Sequence, residues 1–135
     1  MANTVNPAYI TSSDAKSRGE FSGKSDTNTE LQVDCETTER NSGNLKMISV
    51  KYSGSVSLDV SVELTHREGS DYDRILDTIS LSSQDEFTRV YDVSIPIPSG
   101  SIVSVIAPAS SGKTSTVIAI VDFEGSVDGK PLENG

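Results

Sequence analysis

Tryptophan is absent from this chain of 135 residues, and cysteine and histidine occur once each. The lone cysteine, Cys35, excludes an intrachain disulfide. With His66 alone it is also too few for a zinc site built from cysteines and histidines. Aromatic residues are scarce, with four tyrosines and three phenylalanines. This leaves little of the large flat surface on which sugars stack. Basic side chains are outnumbered, 11 against 20 acidic, and the net charge of −9 disfavours a nucleic-acid partner. No apolar run approaches the roughly 18 residues that cross a membrane as a helix, so no membrane partner is expected. The start, Met1-Ala2-Asn3-Thr4-Val5-Asn6-Pro7, has neither a basic beginning nor an apolar stretch, so no signal peptide is expected.

What the chain has in quantity is serine and threonine, 34 residues together, and the β-branched set Val, Ile and Thr, also 34. The first composition gives a polar skin, and the second favours strands. Leu, Ile, Val and Phe number 33, enough for one core in one domain. They are unevenly placed, with five in residues 1–44, 26 in residues 45–124 and two in residues 125–135. The reading is an extended N-terminal arm over 1–17, a β domain over 18–124 with its core in 45–124, and a short C-terminal tail over 125–135.

Val56-Ser57-Leu58-Asp59-Val60-Ser61-Val62-Glu63-Leu64 alternates apolar and polar residues without a break. That period of two marks a half-buried antiparallel strand. The same reading places strands at 19–23, 30–37, 45–52, 56–65, 75–82, 87–95, 101–107 and 116–124. Ser53-Gly54-Ser55 reads as a turn that pairs 45–52 with 56–65 as a hairpin. Arg67-Glu68-Gly69-Ser70-Asp71 is turn chemistry, and a helical turn can begin at Tyr72. Tyr91, Val93, Ile95 and Ile97 share one face, and Pro96 and Pro98 place the end of that strand at a sheet edge. Eight short strands and no helix predict an all-β protein. The expected form is an antiparallel β-sandwich, most simply a jelly roll, with Greek-key or Ig-like order as the fallback.

Several patterns look like sites. Ala107-Pro108-Ala109-Ser110-Ser111-Gly112-Lys113-Thr114 resembles a phosphate-binding loop, but Ala107 stands where that motif needs glycine. A strand follows instead of the helix whose N-terminus holds phosphate. The loop is therefore read as a hairpin connection between the last two strands. Glu68, Asp71, Asp73 and Asp77 do not match the twelve-residue calcium loop and read as solvated. His66 is tied to no nucleophile by a motif and reads as a surface residue. Cys35 lies on the apolar side of its strand and reads as a small buried hydrophobe. Ser17-Arg18-Gly19-Glu20 resembles an adhesion tripeptide but carries Glu in place of Asp. No catalytic residue, metal ligand or cofactor site emerges, and no enzyme is expected.

Three runs carry a resemblance: Val56 to Leu64, then Tyr72-Asp73-Arg74-Ile75-Leu76-Asp77-Thr78-Ile79-Ser80-Leu81-Ser82, then Ile95-Pro96-Ile97-Pro98-Ser99-Gly100-Ser101-Ile102-Val103-Ser104-Val105. Over residues 45–124 the chain resembles small virion structural proteins of tailed bacteriophages. The resemblance implies a head decoration or cement protein made in the host cytoplasm. It would bind the major capsid protein lattice from outside, as a homo-oligomer and specifically a trimer. Val5, Pro7, Tyr9 and Ile10 form an apolar cluster in the polar arm and are the expected shell-binding residues. The apolar edge near Ile95 and Ile97 is the expected contact between copies. Rival readings are a head fibre base, collar or tail protein, or a small β-sandwich binding module. A cupin-type enzyme needs several histidines, and this chain has one.

Overall fold

The computed structural model describes residues 17–38, 41–127 and 130–131. The chain forms β1 (Ser17–Lys24), β2 (Leu31–Glu36), β3 (Asn41–Thr65), β4 (Arg74–Ile97), β5 (Ile102–Ala107), β6 (Ser115–Val127) and β7 (Lys130–Pro131). One short 3-10 turn, Ser70–Tyr72, precedes β4. Every strand pairing is antiparallel.

β3 organises the molecule. One of its edges pairs with β4 along nearly its whole length. Its other edge is divided, residues 41–52 pairing with β6 and residues 61–65 with β5. β1 flanks β6 and β2 flanks β5. The result is one sheet with two limbs, nearly closed like a barrel around a single core. The first limb is β1, β6, the first half of β3 and the second half of β4. The second limb is β2, β5, the second half of β3 and the first half of β4.

The Ser53-Gly54-Ser55 turn expected between 45–52 and 56–65 does not form. β3 runs straight through it, and those two segments belong to different limbs. The serine and glycine instead mark a bend. The register with β4 shifts between Lys51 and Val56, and Ser83 on the facing strand takes a positive φ of 51°. Glycine suits the bend because the Lys113 stem lies against Gly54, where a Cβ would approach Lys113 Cε to 2.8 Å. β4 likewise joins the expected strands 75–82 and 87–95. Glycine and serine within a strand pattern thus signal a bulge or bend as readily as a reversal.

The alternation of 56–64 is realised, with Val56, Val60, Val62 and Leu64 buried. Across the core, Phe21 meets Phe123 edge on, with ring centroids 6.2 Å apart. Among the described residues β4 pairs only with β3, so it is an edge strand, as Pro96 and Pro98 foretold. The boundaries of the body are wider than expected. Ser17 already belongs to β1, and β6 runs past residue 124 to Val127 before pairing with β7.

Candidate functional site

The expected shell-binding residues Val5, Pro7, Tyr9 and Ile10 lie outside the described residues. Of the patterns inside them, the loop from Ala107 to Thr114 is engaged by its own protein. Asn28 Oδ1 accepts from Gly112 N, Ser110 O from Lys113 N at 3.0 Å, and Ser53 Oγ from Thr114 N at 3.1 Å. Those amides are the ones a phosphate would need. Tyr52, buried beneath, donates its hydroxyl to Pro108 O at 2.7 Å. The expectation of a hairpin here is corrected: β5 pairs with β2 and β3, while β6 pairs with β1 and β3. The loop carries the chain from the second limb to the first.

The acidic residues near the β3–β4 turn go to separate partners. Asp73 Oδ1 accepts from His66 N at 2.8 Å. Asp71 is exposed in the 3-10 turn. Asp77 turns to Tyr91 and Arg89, farther along its own strand. His66 lies beside Tyr72, centroids 5.4 Å apart, and its Nδ1 accepts from Glu68 N. Among the described residues no group of three or more His, Cys, Asp or Glu is placed to hold a metal ion. Cys35 is buried, and desolvation, with the nearby Asp34 charge, pushes its thiol up to about 12. It is held as an unreactive thiol.

The polar cluster that the residue pattern did not announce joins the two halves of β4. Tyr91 donates its hydroxyl to Asp77 Oδ2 at 2.7 Å. Arg89 Nε lies 3.3 Å from the same oxygen, without the alignment of a hydrogen bond, so the attraction is between charges. The guanidinium carbon of Arg89 sits 5.3 Å from the Phe87 ring centroid. Burial first, then the Asp77 hydrogen bond and charge, raise the Tyr91 hydroxyl well above its ordinary value. Inward-pointing charges of this kind blunt an edge strand against pairing with another sheet. The signal was present as Phe87, Arg89 and Tyr91 at every second position, facing in with Ile48 and Val50. Replacing Asp77 with Ala should cost about 1–3 kcal/mol, since it leaves a half-buried guanidinium and a phenol without their partner. Urea unfolding measures the loss, and a tyrosine absorbance titration should show one phenol moving back towards its ordinary range. An unchanged titration would mean that Asp77 does not hold Tyr91.

The side chains expected to form an apolar contact at Ile95 and Ile97 face the core although β4 is an edge strand. Ile97 is buried and Ile95 packs against the core. Val93, expected on that same inward face, is 87% exposed instead. The reason is a bulge: Met47 pairs with Val90 and Leu45 with Ile95, so β4 carries extra residues that push Val93 outward. Among the described residues the exposed large apolar ones are Tyr72, Ile75, Val90, Val93 and Ile118. What the fold defines is an antiparallel all-β protein of the sandwich kind, with a stapled loop, a polar cluster on its edge strand and apolar side chains facing solvent. No family model matches the sequence, and no curated protein matches it.

Proposed function

We propose that this protein is a non-enzymatic virion component, a decoration or cement protein that binds the outside of an assembled phage head. The observation that carries the reading is that the resembling segment, residues 45–124, makes up β3 to β6 nearly entire, which form most of one stiff barrel-like body. A cement protein performs no chemistry. It supplies a rigid unit whose modest contacts are repeated over a lattice, where avidity multiplies them.

The strand nesting supports the same reading. β1 lies on β6, β2 on β5, and the two long strands β3 and β4 on each other. We take this as a jelly roll, the sandwich form found in viral capsid domains. An acidic, Ser/Thr-rich surface keeps free subunits soluble before assembly. The partner is the major capsid protein lattice, the site of action is the virion surface, and synthesis is in the host cytoplasm. No cofactor enters this reading.

The test is electron microscopy of heads lacking this protein after addition of the purified chain. Added density at regular lattice positions is expected, and bare shells at saturating protein would overturn the reading. The arm is tested in the same experiment. Because Ser17 is already in β1, the deletion covers residues 2–16 and removes Val5, Pro7, Tyr9 and Ile10. It should abolish shell binding and leave the β circular dichroism unchanged. Full occupancy by the shortened chain would exclude the arm as the binding element.

A further inference from the structure

The single histidine of the chain stands at the turn between its two longest strands. β3 ends at Thr65 and β4 begins at Arg74, and residues 66–73 reverse the chain between them. His66 holds that reversal in three ways. Its carbonyl accepts from Gly69 N at 3.1 Å, its amide donates to Asp73 Oδ1 at 2.8 Å, and its ring Nδ1 accepts from Glu68 N at 3.0 Å. The ring also lies beside that of Tyr72, whose amide donates to Gly69 O at 3.0 Å. Tyr72 is 53% exposed, so the turn and the imidazole place it rather than the core.

Two of the three bonds use the backbone groups of His66. The third needs a free lone pair on Nδ1, which the neutral ring has and the protonated ring lacks. Imidazole is the side chain that changes charge between about pH 5 and pH 8. We propose that the β3–β4 turn is a proton-sensitive element, in which a proton and the Glu68 amide compete for Nδ1 of His66. Uptake of the proton releases the amide and repositions Tyr72.

The charged groups of the turn favour that second state. Asp73 already receives the His66 amide, so its carboxylate stands at the same residue. Asp71 is exposed in the 3-10 turn. Glu68 pairs with Arg67 at 3.3 Å, and Arg67 is held in turn by Ser99, donating to its carbonyl at 2.8 Å and its hydroxyl at 2.7 Å. Arg74 donates to the carbonyls of Asp71 and Asp73. Both arginines are thus engaged by partners other than the imidazole. The neighbouring loop, from which Ser101 Oγ accepts Arg67 N, has no ionisable side chain from Pro98 to Ser101. An imidazolium here is attracted by the Asp73 carboxylate and by the face of the Tyr72 ring. Loss of one hydrogen bond of this kind shifts a local equilibrium about fivefold, enough to move a surface turn while the body stays folded. The inference concerns the turn alone and does not rest on the capsid reading.

Nuclear magnetic resonance on the full chain tests it. Between about pH 8 and pH 5 the Glu68 amide and Tyr72 ring signals should move with the same midpoint as the His66 ring, which is the one histidine present. His66→Asn offers a carboxamide oxygen that accepts the Glu68 amide and takes no proton in this range, so both signals should stay flat. His66→Ala has no acceptor, and its Glu68 amide should exchange with water about fivefold faster than that of the wild type at about pH 8. Circular dichroism checks that both variants keep the β body, and the wild-type titration decides by itself if either does not. A Glu68 amide that stays still while the ring titrates would overturn the proposal, as would an undiminished response in His66→Asn. A Tyr72 ring that does not follow would overturn the repositioning.

Discussion

Raising the pH from about 9 to about 12 is expected to unfold this protein, and the side chains responsible lie in its core. Burial pushes the Cys35 thiol from an ordinary value of 9.0 up to about 12 and the Tyr52 hydroxyl from 10.0 up to about 12. Tyr91 is raised in the same direction. Each group therefore keeps its proton in the folded chain after the unfolded chain has lost it. Over that interval deprotonation favours the unfolded state, so their contribution is intact below pH 9 and is lost as the pH approaches 12. At about 1.4 kcal/mol per unit, the thiol alone accounts for a loss on the order of 4 kcal/mol. That is comparable with the roughly 5–15 kcal/mol by which a domain of this kind is stable. Urea unfolding at stepped pH measures the slope, and tyrosinate absorbance should appear together with loss of β circular dichroism. Cys35→Ala should flatten the slope between pH 9 and 10, where the tyrosines contribute least. An identical slope in that variant would show that the thiol does not titrate as its burial requires.

Phe123→Ala should cost about 4 kcal/mol, the largest effect expected of a single side chain. Phe123 is buried and meets Phe21 edge on, and its position on β6 lies between Ser17 of β1 and Gly43 of β3. The sheet makes room for this ring with glycine: a methyl at Gly19 would overlap the Phe123 ring. Removing the ring leaves a void bounded by strands that pair on both sides and cannot close over it. The melting temperature should fall by about 10 °C or more. Gly19→Ala alone should cost about 1–3 kcal/mol through overpacking. In the Phe123→Ala background its cost should vanish, because the added methyl enters the vacated space. Strict additivity of the two substitutions would show that the glycine does not serve the ring.

Much of the fold was legible because strand alternation is a local property. Val56 to Leu64 and Leu31 to Cys35 each alternate as expected, and 116–124 is the strand expected there. The β-branched residues that set the pattern also fit the pleat. The misreadings fell where one local signal has two tertiary uses. Ser53-Gly54-Ser55 has the composition of a turn, and its use as a bend depends on β6 and the loop at Lys113, which are distant in sequence. Val93 has the parity of a core residue, and a bulge against β3 turns it out. The candidate site was harder still. The Asp77, Arg89 and Tyr91 cluster exists only because β4 bends and brings its two halves together.

The sequence by itself determined that the described body is all β, which residues face inward along 31–35 and 56–64, and where the edge strand ends. Composition and period carry that information within a few residues of each position. Only the tertiary structure decided which strands are neighbours, that four expected strands are two long bent ones, and that Asp77 meets Arg89 and Tyr91 across the bend of β4. Those outcomes depend on register between segments as far apart as β1 and β6. Hydrogen bonds between peptide groups are the same whatever the side chains, so no local pattern selects the partner. The packing of Phe21, Phe123, Tyr52 and the valines into one core selects it.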